Sequence, residues 1–259
     1  MRAATRQAYR TALVTGASGG IGASFARLLA ARGADLVLVA RRPGPLEELA
    51  RELVERYRVA VEAVAADLTD GARCAEVERR LRADPVELLV NNAGRGAPGA
   101  FAGLPLEDHL AGIELNVTAL VRLTHAALPG MVGRGRGGVL NVASMAGLAP
   151  SPGGASYGAT KAFVIAFSES LHAEVAAEGV HVTALCPGFT HTDDGAPPHP
   201  LWLRRDAVAR AGLDAVEAGR ALSVPGAQYK AALPALRLVP RPLLRAAAGR
   251  VWQQVAGGG

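Results

Sequence analysis

Thr15-Gly16-Ala17-Ser18-Gly19-Gly20-Ile21-Gly22 decides the fold. The apolar run Ala12–Thr15 ends in it and the amphipathic stretch Ile21–Arg32 starts from it. Glycines between a strand and a helix let the chain turn tightly. They also let a diphosphate approach the backbone without meeting a Cβ, while the helix N-terminus presents N–H groups to the anion. Gly16, Ser18, Gly19, Gly20, Ile21 and Gly22 are therefore candidate cofactor-binding residues. A plain strand–helix turn would show some of the same glycines, but the flanking strand and helix are those that phosphate binding requires.

The same alternation continues along the chain. Strand-like runs are Leu36–Ala40, Val59–Ala65, Val86–Asn91, Gly138–Ala143 and Val180–Cys186. Helical stretches lie between them at Pro45–Arg58, Gly71–Ala83, Leu106–Met131 and Ser156–Glu178. Near-continuous apolar strands alternating with helices predict an α/β doubly wound parallel sheet covered on both faces. The 259 residues suit a single domain. Residues 190–225 read as a small C-terminal substrate lid: a Pro/Gly/Asp loop over His191–Pro200, a helix around Leu201–Ala218 and an extended piece near Ala221–Val224. A tail follows over residues 228–259.

Composition excludes several classes. Hydrophobic residues make up 50% and charged residues 20%, enough for a core and against disorder, while aromatics are only 4%, so the core is Ala, Val and Leu. The net charge is +5, but only Lys161 and Lys230 of the 28 cations are lysines, and the arginines are scattered, which predicts no nucleic-acid partner. Cys74 and Cys186 are too few for a disulfide framework and read as buried thiols in a reducing compartment. With no apolar run long enough to span a bilayer and no apolar stretch in Met1–Arg10, the chain is expected to be cytoplasmic.

The second strand ends in Ala40-Arg41-Arg42. A cofactor with a free ribose 2′-hydroxyl calls for an acid here; two guanidiniums instead match a 2′-phosphate and predict NADP(H). Asp67-Leu68 follows the third strand, placed for an adenine edge or as a turn that starts a helix.

Tyr157 and Lys161, at i and i+4 of a predicted helix, point to one face. A phenol is a poor acid–base group near neutrality, and a neighbouring ammonium together with a cationic nicotinamide favours its phenolate. Lys161 is one of only two lysines in an arginine-dominated chain. Ser144 ends the fifth strand, either beside Tyr157, where it would hold a carbonyl oxygen, or as a helix-capping serine. Asn116, a poor helix former inside Leu106–Met131, either kinks that helix, bonds a water or is exposed.

Jointly, Thr15–Gly22, Asp67-Leu68, Asn91-Asn92-Ala93-Gly94, Asn116, Ser144, Tyr157-x-x-x-Lys161 and Pro187-Gly188-Phe189-Thr190 resemble the short-chain dehydrogenase/reductase family, over Thr11 to about Leu244. The resemblance implies a Rossmann fold and an NADP-preferring enzyme of a bacterial branch. It implies Tyr157 as proton donor and acceptor, Ser144 as carbonyl polariser and Lys161 as the group that lowers the Tyr157 pKa and bonds the nicotinamide ribose. Asn116 would hold the water of a proton relay. Asn91 would brace the central strand, and Asn92, Ala93 and Gly94 would pass the adenosine side of the cofactor. Pro187, Gly188, Thr190 and Thr192 would flank its nicotinamide end. Gly19 stands where many relatives have serine, and His191-Thr192-Asp193-Asp194 is more acidic than expected.

The expected activity is oxidoreduction between NADP(H) and a ketone or aldehyde and its alcohol, with a small, largely apolar carbonyl substrate (3-oxoacyl, steroid-like or aromatic). Phe101, Leu104, Met145, Phe189 and Trp202 are expected pocket walls. The alternatives are a non-catalytic NADP(H)-binding sensor or scaffold on the same fold, and an epimerase or dehydratase. No metal is expected: His191, Asp193, Asp194 and His199 lie in a Pro/Gly loop without a fixed face. Gly133–Gly138, rich in Arg and Gly, reads as a surface connection rather than an RNA-binding segment. Arg237, Arg241, Arg245 and Arg250 punctuate an apolar tail that lies on an anionic membrane or packs over the substrate cleft or a subunit interface. Pro234, Pro240 and Pro242 break a continuous amphipathic helix there and favour packing. A homodimer or homotetramer is the expected assembly.

Overall fold

A computed structural model describes residues 9–84, 86–191 and 202–256. Its first half alternates β1 (Thr11–Thr15), α1 (Gly20–Ala31), β2 (Asp35–Ala40), α2 (Pro43–Tyr57), β3 (Val61–Ala65), α3 (Gly71–Ala83) and β4 (Leu88–Asn91). Then come α4 (Leu106–Ile113), a π turn (Glu114–Thr118), α5 (Ala119–Gly133), β5 (Gly137–Val142), α6 (Ala155–Val175) and β6 (Val180–Leu185). The last third holds β7 (Thr190–His191), β8 (Leu203–Arg204), α7 (Arg205–Glu217), β9 (Leu222–Ser223), α8 (Ala227–Leu238) and α9 (Arg241–Ala256).

Seven strands form one parallel sheet in the order β3-β2-β1-β4-β5-β6-β9, a Rossmann-like arrangement flanked by helices. The period of two along each strand divides the core. Val14, Val90 and Leu140 face a layer containing Phe25 and Leu29 of α1 and Val208 and Leu213 of α7. Their neighbours Leu13, Leu89 and Val139 face Val77 of α3 and Leu123 of α5. At about 25 cal/mol per Å² of apolar surface, this two-sided burial holds the strand ends rigidly. The order reverses between β1 and β4, which opens a crevice at their carboxyl ends, and every chemistry-bearing segment of the sequence arrives there.

Three differences from the sequence reading have physical reasons. The long helix predicted over Leu106–Met131 is interrupted by the π turn, because Asn116 is drawn inward to bond the protein rather than lying along a regular helical face. The helix predicted from Leu201 begins at Arg205, because Leu203 and Arg204 pair with Thr190 and His191. Pro234 does not break the tail: α8 runs through it, with the proline exposed so that water can take the carbonyl its missing N–H leaves unpaired. The break comes at Pro240. Among the described residues no helix is long and apolar enough to cross a membrane.

Candidate active site

The glycine loop is held from both sides. Ala17 N–H donates to Val39 O (3.2 Å), and Gly16 and Gly20 adopt φ of +65° and +55°, a region in which a side chain is strained. A Cβ on Gly22 would lie 2.1 Å from Gly16 O, so α1 packs directly on the loop backbone. At Gly19 the space beyond the backbone is open, and this N-cap residue supplies no side-chain bond to the first turn of α1. The free N–H groups of that turn therefore face the groove. This cradle fits a dinucleotide diphosphate.

Two adjoining hollows share Gly16, Ala93, Gly94 and Arg95. The smaller, about 540 Å³, is lined by Ser18, Arg41, Arg42, Asp67 and Leu68. Asp67 Oδ1 accepts from Thr69 N (3.0 Å) and Thr69 Oγ1 (2.7 Å), and these two bonds hold its carboxyl below its usual pKa. Arg41 stands 4.0 Å from Asp67 Oδ2 with its side chain 72% exposed, so its guanidinium remains available to an anion.

The larger hollow, about 940 Å³, brings together Gly19, Gly20 and Ile21 of the loop, Asn92 after β4, Ser144 after β5, Tyr157 and Lys161 of α6, and Pro187, Gly188 and Thr190 after β6. Tyr157 is buried enough that desolvation raises the phenol pKa, while a hydrogen bond with Ser144 pulls it back down. Lys161 is fully buried, donates to Val142 O (2.7 Å), and is pushed down to about 8 by desolvation. Its Nζ lies 5.6 Å from the centre of the Tyr157 ring. The expectation from the residues alone, a phenol lowered by its lysine neighbour, is thus reversed in the protein by itself. Burial of the phenol is the largest cause, and Lys161 is itself desolvated. Ser144 also caps a short turn, accepting from Ala146 N (3.1 Å), and it lines the same hollow as Tyr157.

Asn116 is buried in the π turn, the first of the options its sequence position left open. Its Oδ1 accepts from Arg95 N (2.9 Å), and its Nδ2 donates to Arg95 O (2.8 Å) and Thr160 Oγ1 (3.0 Å). It ties the segment after Gly94 to α6. Asn91 donates to Thr124 Oγ1 and Asn141 Oδ1, bracing β4 against α5 and β5. Thr192, Asp193, Asp194 and His199 lie outside the described residues. Cys186 is fully buried and its thiol is pushed up to about 12 by desolvation, so it stays an unreactive thiol.

Sequence reasoning missed several groups. Thr15 Oγ1 accepts from Asn92 N (3.0 Å) and Ala93 N (2.9 Å), clamping the segment after β4 to the glycine loop. A hydroxyl residue at the end of the first strand was the available signal. Tyr229 of α8 lines the larger hollow, and its hydroxyl accepts from Phe189 N (3.1 Å). Nothing local in the tail marks it. Of the five expected walls, only Met145 and Phe189 line the hollow. Phe101 instead stacks on His109 at 4.4 Å, Leu104 packs beside Gly99, and Trp202 stacks on Phe189.

Comparison with known proteins agrees with this geometry. Residues 10–197 match the family model for short chain dehydrogenases. An uncharacterized oxidoreductase of Myxococcus xanthus is 38% identical over 94% of this chain and 98% of its own. The very-long-chain 3-oxoacyl-CoA reductase of Bos taurus is 35% identical over 74% of this chain, which spans 62% of that protein's length. A short-chain dehydrogenase from Sphingobium yanoikuyae, solved in complex with NADPH, superposes with a TM-score of 0.81 at 40% identity, covering 88% of this chain and 91% of the other. With the glycine cradle, the parallel sheet and the serine–tyrosine–lysine cluster at its crevice, the chain belongs to the short-chain dehydrogenase family of oxidoreductases.

Proposed function

We propose that this protein interconverts a largely apolar ketone or aldehyde and its alcohol, using NADP(H). The observation that carries the reading is one continuous crevice. It holds Ser144, Tyr157 and Lys161 at one end and two exposed arginines at the other, with the glycine cradle between them. Bound there, the nicotinamide supplies or accepts hydride. The protein's own work is to bind, orient and move a proton.

Ser144 and Tyr157 line the same end of the hollow, so their hydroxyls can converge on one carbonyl oxygen. In the reductive direction the Tyr157 O–H donates the proton as negative charge develops on that oxygen. The raised pKa of the phenol keeps that proton in place near neutrality. Lys161 stands behind the phenol and stabilises the phenolate once the proton has left. The Asn116 side chain bonds Arg95 and Thr160 and so holds the segment after Gly94 against α6 beside the reacting groups.

NADP(H) is favoured over NAD(H) by Arg41 and Arg42, and by the NADPH held by the Sphingobium relative. A sensor would not need the complete set of reacting groups gathered in one hollow. The test is to follow NADPH absorbance with a panel of 3-oxoacyl, steroid-like and aromatic carbonyl compounds. Turnover of at least one class, with NADH used much less efficiently, is expected. No NADPH oxidation with any class would overturn the reading.

A further inference from the structure

All 23 acidic residues lie at or before Glu217, while α8 and α9 beyond it carry Lys230, Arg237, Arg241, Arg245 and Arg250. Removing these five from the 28 cations leaves 23 against 23, so the body is neutral and the whole net charge of +5 sits on α8 and α9. Several of the body's arginines are paired with carboxylates: Arg27 grips Glu52, Arg80 grips Glu62 and Arg122 grips Glu78. Lys230, Arg241, Arg245 and Arg250 are exposed and have no acidic partner among the described residues.

These two helices reach the substrate end of the crevice. Tyr229 of α8 lines it, and the Trp252 indole of α9 packs on Gly153, in the loop that forms one rim. At 100° per residue, Arg245 and Arg241 lie seven and eleven positions before Trp252 on nearly the same face of α9. At 1.5 Å per residue they stand about 10 Å and about 17 Å along the helix from the rim. The face that seats its indole on the rim therefore carries two unneutralised guanidiniums beyond it.

We infer that the substrate carries a polyanionic tail, bound by Arg241 and Arg245 on the face of α9 that Trp252 seats on the crevice rim. This rests on the carbonyl reductase reading above and narrows it: an apolar carbonyl body enters the hollow while a phosphate-bearing arm lies along α9. Guanidiniums suit phosphate through paired, charge-assisted bonds.

The test compares a 3-oxoacyl-coenzyme A with the ethyl ester of the same 3-oxo acid, each reduced with NADPH by the wild type and by Arg241→Gln/Arg245→Gln. In the wild type the thioester's kcat/KM is expected to exceed the ester's at least tenfold, with the advantage shrinking from 50 to 500 mM salt. In the double variant that ratio is expected to fall tenfold. A ratio equal in both proteins overturns the inference. So does loss of binding to anionic phosphatidylglycerol vesicles in the variant with the ratio unchanged, which would assign the cations to a membrane surface. If neither compound is reduced, the functional reading fails. The inference is then decided by calorimetry of coenzyme A itself against protein saturated with NADP+, where equal affinity for both proteins overturns it and tenfold weaker binding to the variant supports it.

Discussion

The sheet body and the two C-terminal helices are built on opposite principles. In the body, strands buried on both faces fix the crevice, and the glycine loop is packed backbone to backbone where Gly22 meets Gly16 O. Among the described residues, α8 and α9 meet the rim of the crevice through large side chains, Tyr229 against Gly188 and Trp252 against Gly153. The charge there is uncompensated. A rigid body suits a cofactor and a reaction that tolerate little displacement. A cap held by a few aromatic rings suits the recognition of a substrate that must enter and leave.

Lys161→Met strikes the body hardest. Turnover should fall by roughly 10²–10⁴, while the folded protein becomes more stable at pH 7. The unfolded chain keeps the lysine proton up to its ordinary 10.5 and the folded chain only to about 8. At Lys161 the unfolded state therefore binds more protons between those values, so the stability of the wild type relative to the variant rises as pH climbs from about 8 to 10.5. Thermal melts of both proteins at pH 7, 8, 9 and 10 should show the difference in Tm, wild type minus variant, rising from pH 8 to 10; the buried thiols, raised in both, drop out of that difference. A difference that stays constant from pH 8 to 10 would show that Lys161 keeps its proton when buried.

Matching glycine substitutions sharpen the contrast. Gly22→Ala forces a Cβ against a carbonyl oxygen at 2.1 Å and should cost about 3 kcal/mol, read as a Tm drop of roughly 6–12 °C. A Cβ at Gly153 would come as close to the Trp252 indole, at 2.2 Å, but α9 can lift away. Gly153→Ala should therefore cost only the left-handed backbone strain at φ +72°, about 1–2 kcal/mol, and raise KM. Equal Tm losses for the two variants would erase the distinction between body and cap.

At the cofactor end, Arg41→Asp should weaken NADPH binding by roughly 10–100-fold relative to NADH, the loss of a charge-assisted bond plus repulsion. An unmoved ratio of the two affinities would remove the 2′-phosphate argument. Tyr229→Phe, the mildest change, removes one bond to Phe189 N–H. It should raise KM severalfold, by about 1 kcal/mol or less, with kcat nearly constant. A fall in kcat instead would place Tyr229 with the reacting groups.

The body was legible in the sequence because its signals are local and periodic. Apolar runs mark β1 to β6 within a residue or two, and the glycines and the Tyr157/Lys161 spacing mark the site. What escaped depends on distant partners. Asn116 forms its π turn because Arg95 and Thr160 receive its amide, and β8 exists because Thr190 and His191 pair with it. Tyr229 and Trp252 matter through glycines 41 and 99 residues away in the chain, a relation no window along the tail can reveal. The direction of the Tyr157 shift was missed for the same reason: proximity to Lys161 could be read from spacing, but the burial that raises the phenol could not.

The central claim is that the Tyr157 hydroxyl delivers the proton in a crevice that binds the dinucleotide independently of it. Tyr157→Phe removes one oxygen and keeps the ring, so it separates the two functions. Steady-state reduction with NADPH should fall at least a thousandfold, while NADPH affinity measured by fluorescence titration stays within about threefold of the wild type. Turnover within tenfold of the wild type would contradict the account.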